Sequence, residues 1–203
     1  MKKILALSFA VIAWYAVIEQ YILMMENRVL PVAETTIRFF SYFTILTNLI
    51  VAVYLTSVFL AKGRITMVEK PGTLTAITVY ITLVGLTYQV LLRNTWNPQG
   101  LQRIVDELLH SVVPVLVIIY WSCYEKTKHI RYAAMLIWAI YPLVYFVFVL
   151  LRGPSSHFYP YPFVDVSTLG MPAVLINAAG IVVLFFSLSA LFIFIGQRFI
   201  NRS

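Results

Sequence analysis

Six apolar stretches, at about 4–24, 38–61, 73–93, 105–122, 131–152 and 170–197, occupy most of this 203-residue chain. An α-helix needs ~20 consecutive apolar residues to cross the hydrocarbon core of a bilayer, and in that core every backbone N–H and C=O must find a partner within the protein. The pattern predicts an all-α integral membrane protein, a bundle of six transmembrane helices forming one domain over 1–203, with no length left for a separate soluble domain. Hydrophobic residues make up 61% of the chain and charged residues 11%, whereas soluble domains carry about a quarter charged residues. The lone Cys123 rules out an internal disulfide. The N-terminal Met1-Lys2-Lys3 imitates a secretory signal. The apolar run behind it continues past Trp14 and Tyr15 to Met25, well beyond the ~7–15 residues of a signal core. It is therefore read as the first span.

The basic residues set an expected orientation. Ten of the 15 Lys and Arg fall at one set of span ends, in the termini and in the loops holding Lys62, Arg64 and Lys70, and Lys126, Lys128 and Arg131. Arg28, Arg38, Arg93, Arg103 and Arg152 fall at the other, with most of the acids. The positive-inside rule then places both termini in the cytoplasm, as an even number of spans requires, and the plasma (inner) membrane is the expected location. Short loops and anionic lipid account for the net charge of +7, so the expected partner is membrane lipid and not nucleic acid. His129 reads as solvated in a basic inner loop. The outer loops are richer in Pro, Gly and aromatics. Tyr159-Pro160-Tyr161-Pro162-Phe163 cannot be regular helix, because each proline disfavours the helical conformation before it. An ordered, extended lid is expected there, with Tyr159 and Tyr161 as candidates for substrate contact.

Polar side chains gather toward the outer end. Ionisable groups at membrane depth are costly and mark function by default. On the second span, Arg38, Ser41, Thr44 and Asn48 recur at helical spacing, and Ser41 to Asn48 covers roughly 10 Å of depth. On the fourth, Asp106 and His110 are one turn apart and point the same way. Asn177 and Arg152 lie at similar depth on the sixth and fifth spans. A neutral imidazole can take a proton from an alcohol, and a carboxylate behind it can fix its tautomer. Ser41 or Thr44 is then the candidate nucleophile, His110 the base and Asp106 the orienter. Asn48 or Asn177 is placed to donate to an oxyanion, and Arg38 or Arg152 to hold a lipid carboxylate. No metal or other cofactor is expected. His110 and His157 are the only outer histidines, and two haem ligands at matched depth on adjacent spans are lacking. The same acids and His110 would also serve a non-enzymatic binder or transporter, although neither inverted repeats nor broken helices are evident.

Three blocks carry a resemblance: Arg38-Phe39-Phe40-Ser41-Tyr42-Phe43-Thr44-Ile45-Leu46-Thr47-Asn48, Asp106-Glu107-Leu108-Leu109-His110-Ser111-Val112-Val113-Pro114, and Arg152-Gly153 followed by Tyr159-Pro160-Tyr161-Pro162-Phe163. In order and spacing they resemble a bacterial six-span membrane family. That family is distantly similar to the eukaryotic androgen-induced-gene proteins and the androgen-dependent regulator of tissue factor pathway inhibitor. Those relatives are membrane threonine hydrolases that cleave fatty acid esters of hydroxy fatty acids. The resemblance implies a lipid-ester hydrolase with His110 at the family's histidine position. It puts the nucleophile at Ser41, where serine replaces the family's threonine, with Thr44 one turn deeper as the second candidate.

Overall fold

The computed structural model describes residues 1–61, 70–125 and 130–200. The basic loop residues Lys62, Arg64, Lys126, Lys128 and His129, together with Arg202, lie outside the described residues. Six helices are long and apolar enough to cross a membrane. They are α1 (Lys2–Glu26), α3 (Phe43–Leu60), α4 (Thr73–Leu92), α5 (Gly100–Tyr124), α6 (Ala134–Ser156) and α7 (Met171–Arg198), with a short α2 (Val32–Phe40) between the first two. This is the six-helix, all-α membrane architecture expected from the sequence, and there is no strand among the described residues.

Lipid is as apolar as a leucine side chain, so close packing and interhelical hydrogen bonds, more than the hydrophobic effect, must hold these helices together. α1 and α3 show how. Ala6, Ala10, Ala13 and Ala16 recur at helical spacing on α1, all 2% exposed or less, and their small side chains let α3 come close. The central core adds α4, α5 and α7, with Leu55, Ile81, Val117 and Ile193 at its middle. α4 is the most enclosed span, and α6 lies at the periphery.

Three backbone irregularities fall at the end of the bundle where the polar residues gather. The expected span 38–61 is broken: α2 ends at Phe40, Tyr42 is extended, and α3 starts afresh at Phe43. No proline or glycine marks the break. The groups it frees are taken by tyrosines from elsewhere, the Ser41 carbonyl by Tyr145 Oη at 3.0 Å and the Thr44 N–H by Tyr161 Oη at 3.1 Å. Both α4 and α5 contain a π-helical turn, at Tyr88–Leu92 and Leu108–Val112. In α5 the cause is Pro114, which has no N–H for the carbonyl four residues back. Two boundaries also move. α5 begins at Gly100, which takes φ +56°, and α6 runs through Gly153 and Pro154 to Ser156 before His157 caps it in the left-handed conformation.

Candidate active site

Thr44 lies in the first turn of α3, directly below the break, and is buried. Its Oγ1 is 3.3 Å from His110 Nε2 and 3.2 Å from Tyr161 Oη. His110 Nδ1 is 2.9 Å from the Asp106 carbonyl and 3.3 Å from Asp106 Oδ1. Tyr88 donates a short hydrogen bond to Asp106 Oδ2, and its ring stacks on the imidazole with centroids 4.1 Å apart. The direction of each bond follows from which groups can only give or only receive. The Thr44 N–H can only donate, so Tyr161 Oη accepts there and turns its own proton to Thr44 Oγ1. The Asp106 carbonyl can only accept, so Nδ1 carries the proton and Nε2 presents a lone pair to the Thr44 hydroxyl. That is the tautomer a general base requires.

The backbone irregularities position this chain of groups. Pro114 cannot donate to the turn that carries His110, and the Val113 N–H goes to Leu108. The Leu109 carbonyl is served from α3 by Asn48 Nδ2 at 3.3 Å, while the same amide reaches the Thr44 carbonyl at 2.9 Å. Asn48 thus clamps the turn of Thr44 to the turn of His110. On α4, Gly85 lets the helices touch: a Cβ there would lie 3.1 Å from the His110 carbonyl oxygen and 3.3 Å from Pro114.

Two cavities meet at Thr44. One, of about 850 Å³, is lined by Gln20, Asn27, Thr95, Gln99 and Gln102, with His110 and Asp106 on its wall. The other, of about 300 Å³, is an almost wholly apolar groove among α4, α6 and α7, lined by Leu83, Val84, Phe146, Ile181 and Phe185. Leu143 and Val182, 60% and 51% exposed, lie on that groove, so it opens at the outer surface of the bundle. Thr44, Leu92 and Tyr161 line both.

Other residues singled out in the sequence sit elsewhere. Ser41 caps the C-terminus of α2, its hydroxyl donates to the Ile37 carbonyl at 2.7 Å, and it lines neither cavity. The shared helical face of Arg38, Ser41, Thr44 and Asn48 assumed an unbroken helix, and the break at Tyr42 rotates Ser41 away from Thr44. Asn48 and Asn177 serve backbone carbonyls, the latter that of Phe163 at 3.0 Å. Arg38 and Arg152 converge on Glu34 Oε1, at 2.8 and 2.9 Å, outside both cavities, with Phe158 against both guanidinium groups. The Arg38 hydrogen bond, followed by that from Arg152, holds the Glu34 carboxyl below the usual carboxylate range. Tyr159 packs its ring on Gly153.

The proline-rich segment, expected to be an extended lid, is extended only in part, because Pro162–Val164 form a 3-10 turn. Tyr161 is extended, and its ring stacks on Phe163 with centroids 5.3 Å apart. Burial pushes the Tyr161 phenol up to about 12, so it keeps its proton over the physiological range. Tyr88 is the site residue that sequence reasoning missed. A tyrosine within an apolar span reads as packing, and the available signal was a phenol at the depth of Asp106 that needed an acceptor. No known protein family, no characterised protein and no solved structure matches the chain.

Proposed function

We propose that the chain is an intramembrane hydrolase of lipid esters, working at the outer face of the plasma membrane, with Thr44 as nucleophile and His110 as base. The observation that carries this reading is the Thr44–His110 contact at the wall shared by a polar cavity and an apolar groove. There an acyl chain can lie on one side of the reacting hydroxyl and water on the other. Thr44 Oγ1 passes its proton to His110 Nε2 and attacks the ester carbonyl. Asp106 steadies the imidazolium through Nδ1. The oxyanion is met by the Tyr161 phenol, whose oxygen the Thr44 N–H holds in place, reinforced by the N-terminal dipole of α3. His110 returns the proton to the departing alcohol. Water from the polar cavity, deprotonated by His110, then releases the fatty acid and restores Thr44.

The test is labelling of the detergent-purified protein by a fluorophosphonate probe, with release of an acid from a fluorogenic fatty acyl ester measured alongside. Thr44→Ala abolishes both, and His110→Ala lowers them by ~10²–10⁴. Tyr161→Phe lowers turnover by ~10² through loss of one oxyanion donor. Ser41→Ala retains labelling. Loss of labelling in Ser41→Ala alone would transfer the role to Ser41. Labelling unchanged in Thr44→Ala, or an ester that binds without turnover, would support a binding protein in place of an enzyme.

A further inference from the structure

The polar cavity departs from what the sequence expectation requires. A substrate with a free carboxylate on its alcohol part, or a phosphate headgroup, needs a cation facing it, because an anion taken out of water without a partner is strongly disfavoured. Among the described residues, no Lys or Arg lines the 850 Å³ cavity. Arg38 and Arg152 are committed to Glu34, and Arg93 to Glu107 and Gln89, while the exposed Arg28 and Arg103, next in sequence to the lining residues Asn27 and Gln102, do not line the cavity themselves. The one charged group on the wall is the carboxylate of Asp106, which repels an anion. What the wall does offer is side-chain amides and hydroxyls, from Gln20, Asn27, Thr95, Gln99 and Gln102, on both sides of the space. The amide of Gln102 donates to that of Gln20 at 2.8 Å, a pair that a ligand hydroxyl can insert into as donor and acceptor together. The apolar groove on the far side of Thr44 has nothing to offer but surface for a hydrocarbon chain.

Resting on the hydrolase reading, we infer that the substrate is a fatty acyl ester of a neutral polyhydroxy alcohol, such as an acylglycerol or an acyl sugar. The acyl chain lies in the groove and the polyol among the amides. Carboxylate-bearing and phosphate-bearing esters are poor ligands. In the reaction the acyl C–O bond breaks, the carbonyl carbon bonds to Thr44 Oγ1, and the polyol leaves with the proton held on His110 Nε2.

A binding experiment separates this inference from the reaction. Trp96 lines the polar cavity, so its fluorescence reports occupancy in the non-hydrolysing Thr44→Ala protein in detergent, with Thr44→Ala/Trp96→Phe as the blank. Three esters sharing one acyl chain are titrated: a monoacylglycerol, a lysophosphatidic acid and an acyl ester of a hydroxy fatty acid. The monoacylglycerol is expected to bind at least about tenfold more tightly than either anion. Gln102→Arg, which places a cation on the wall, is expected to narrow or reverse that order. Equal or tighter binding of an anionic ester by the parent protein overturns the inference, whatever the outcome with the probe. The expected order with no turnover by the wild type would leave the neutral-polyol site standing and remove the enzyme reading.

Discussion

The Asn48 clamp makes a prediction in which stability and activity part company. Asn48→Leu keeps the heavy-atom skeleton and removes the amide. Two hydrogen bonds disappear, to the Leu109 and Thr44 carbonyls. Interhelical hydrogen bonds in membrane proteins are worth on average ~0.6 kcal/mol each, and a buried carbonyl stripped of its donor adds to that loss. Against this, Asn48 Oδ1 is buried with no hydrogen-bond partner. Such a group costs ~1–3 kcal/mol, and the substitution removes it. The opposed effects are of one size, so the net change in stability is expected to stay within about 1 kcal/mol. Activity has no such compensation. Without the clamp the only hydrogen bond among the described residues that ties the first turn of α3 to the proline-loosened turn of α5 is the Thr44–His110 contact itself, and a displacement of ~1 Å between reacting groups costs up to ~10²-fold in rate. The comparator is Thr47→Val. Thr47 is also buried on α3, and its hydroxyl meets Tyr141 Oη at 3.0 Å on α6, away from His110. Thr47→Val should destabilise at least as much as Asn48→Leu and leave probe labelling intact. Both variants are read by thermal unfolding in detergent and by fluorophosphonate labelling rate. Wild-type labelling in Asn48→Leu, or an equal loss in Thr47→Val, would refute the clamp.

Two further predictions concern the lid. In Gly153→Ala the new Cβ would fall 2.1 Å from Tyr159 Cε1, so the ring must leave its seat. The expected cost is ~1–3 kcal/mol, it should largely vanish in a Tyr159→Ala background, and a cost unchanged in the double variant would discount the contact. Asp165 caps the turn Val166–Leu169, accepting from the backbone N–H groups of Ser167 and Thr168, and the Ser167 hydroxyl, followed by that of Thr168, holds its carboxyl below the usual 3.8. A depressed folded pKa contributes stability that is present above the unfolded value and lost as pH falls through the folded one. Amide hydrogen exchange at residues 166–170, corrected for intrinsic rate, should therefore stay slow down to about pH 4 and quicken below it. Asp165→Asn should abolish that dependence, and its persistence would point to another group.

Hydropathy made the six spans legible, because a run of ~20 apolar residues has few other fates. Thr44 and His110 were legible as candidates from depth and spacing. The choice between Ser41 and Thr44 was not, because it depends on a helix break with no proline or glycine to announce it. That break is sustained by Tyr145 and Tyr161, more than a hundred residues away in the chain. The arginines misled for a related reason. Sequence shows a cation at headgroup depth, but not that Glu34, on the short α2, takes both Arg38 and Arg152. Pro114 was visible in the sequence. Its consequence, a carbonyl on α5 served by Asn48 of α3, belongs to tertiary packing.

A membrane helix is stable because it satisfies its own backbone, so each irregularity at membrane depth is a local cost that survives only where other parts of the protein cover it. Here a break in α3 and π-helical turns in α4 and α5 occur together, and they contain or adjoin Thr44, Tyr88 and His110. π-Helical turns are rare and frequent at functional sites. Irregularities also occur elsewhere, in a π-helical turn at Gly196–Ile200 and an interruption of α6 at Ala139, so it is the satisfaction of the freed groups near Thr44 that sets these three apart. All three adjoin the site: Tyr161 and His110 reach the Thr44 hydroxyl from other elements, Tyr88 holds Asp106 behind the imidazole, and Asn48 and Tyr145 cover backbone carbonyls nearby. Straightening α3 across Tyr42 would take the Thr44 N–H away from Tyr161 and return it to its own helix, which would dissolve the junction between the two cavities. The strain and the site are therefore one feature, and a variant that regularises the helix should gain stability as it loses the contact between Thr44 and His110.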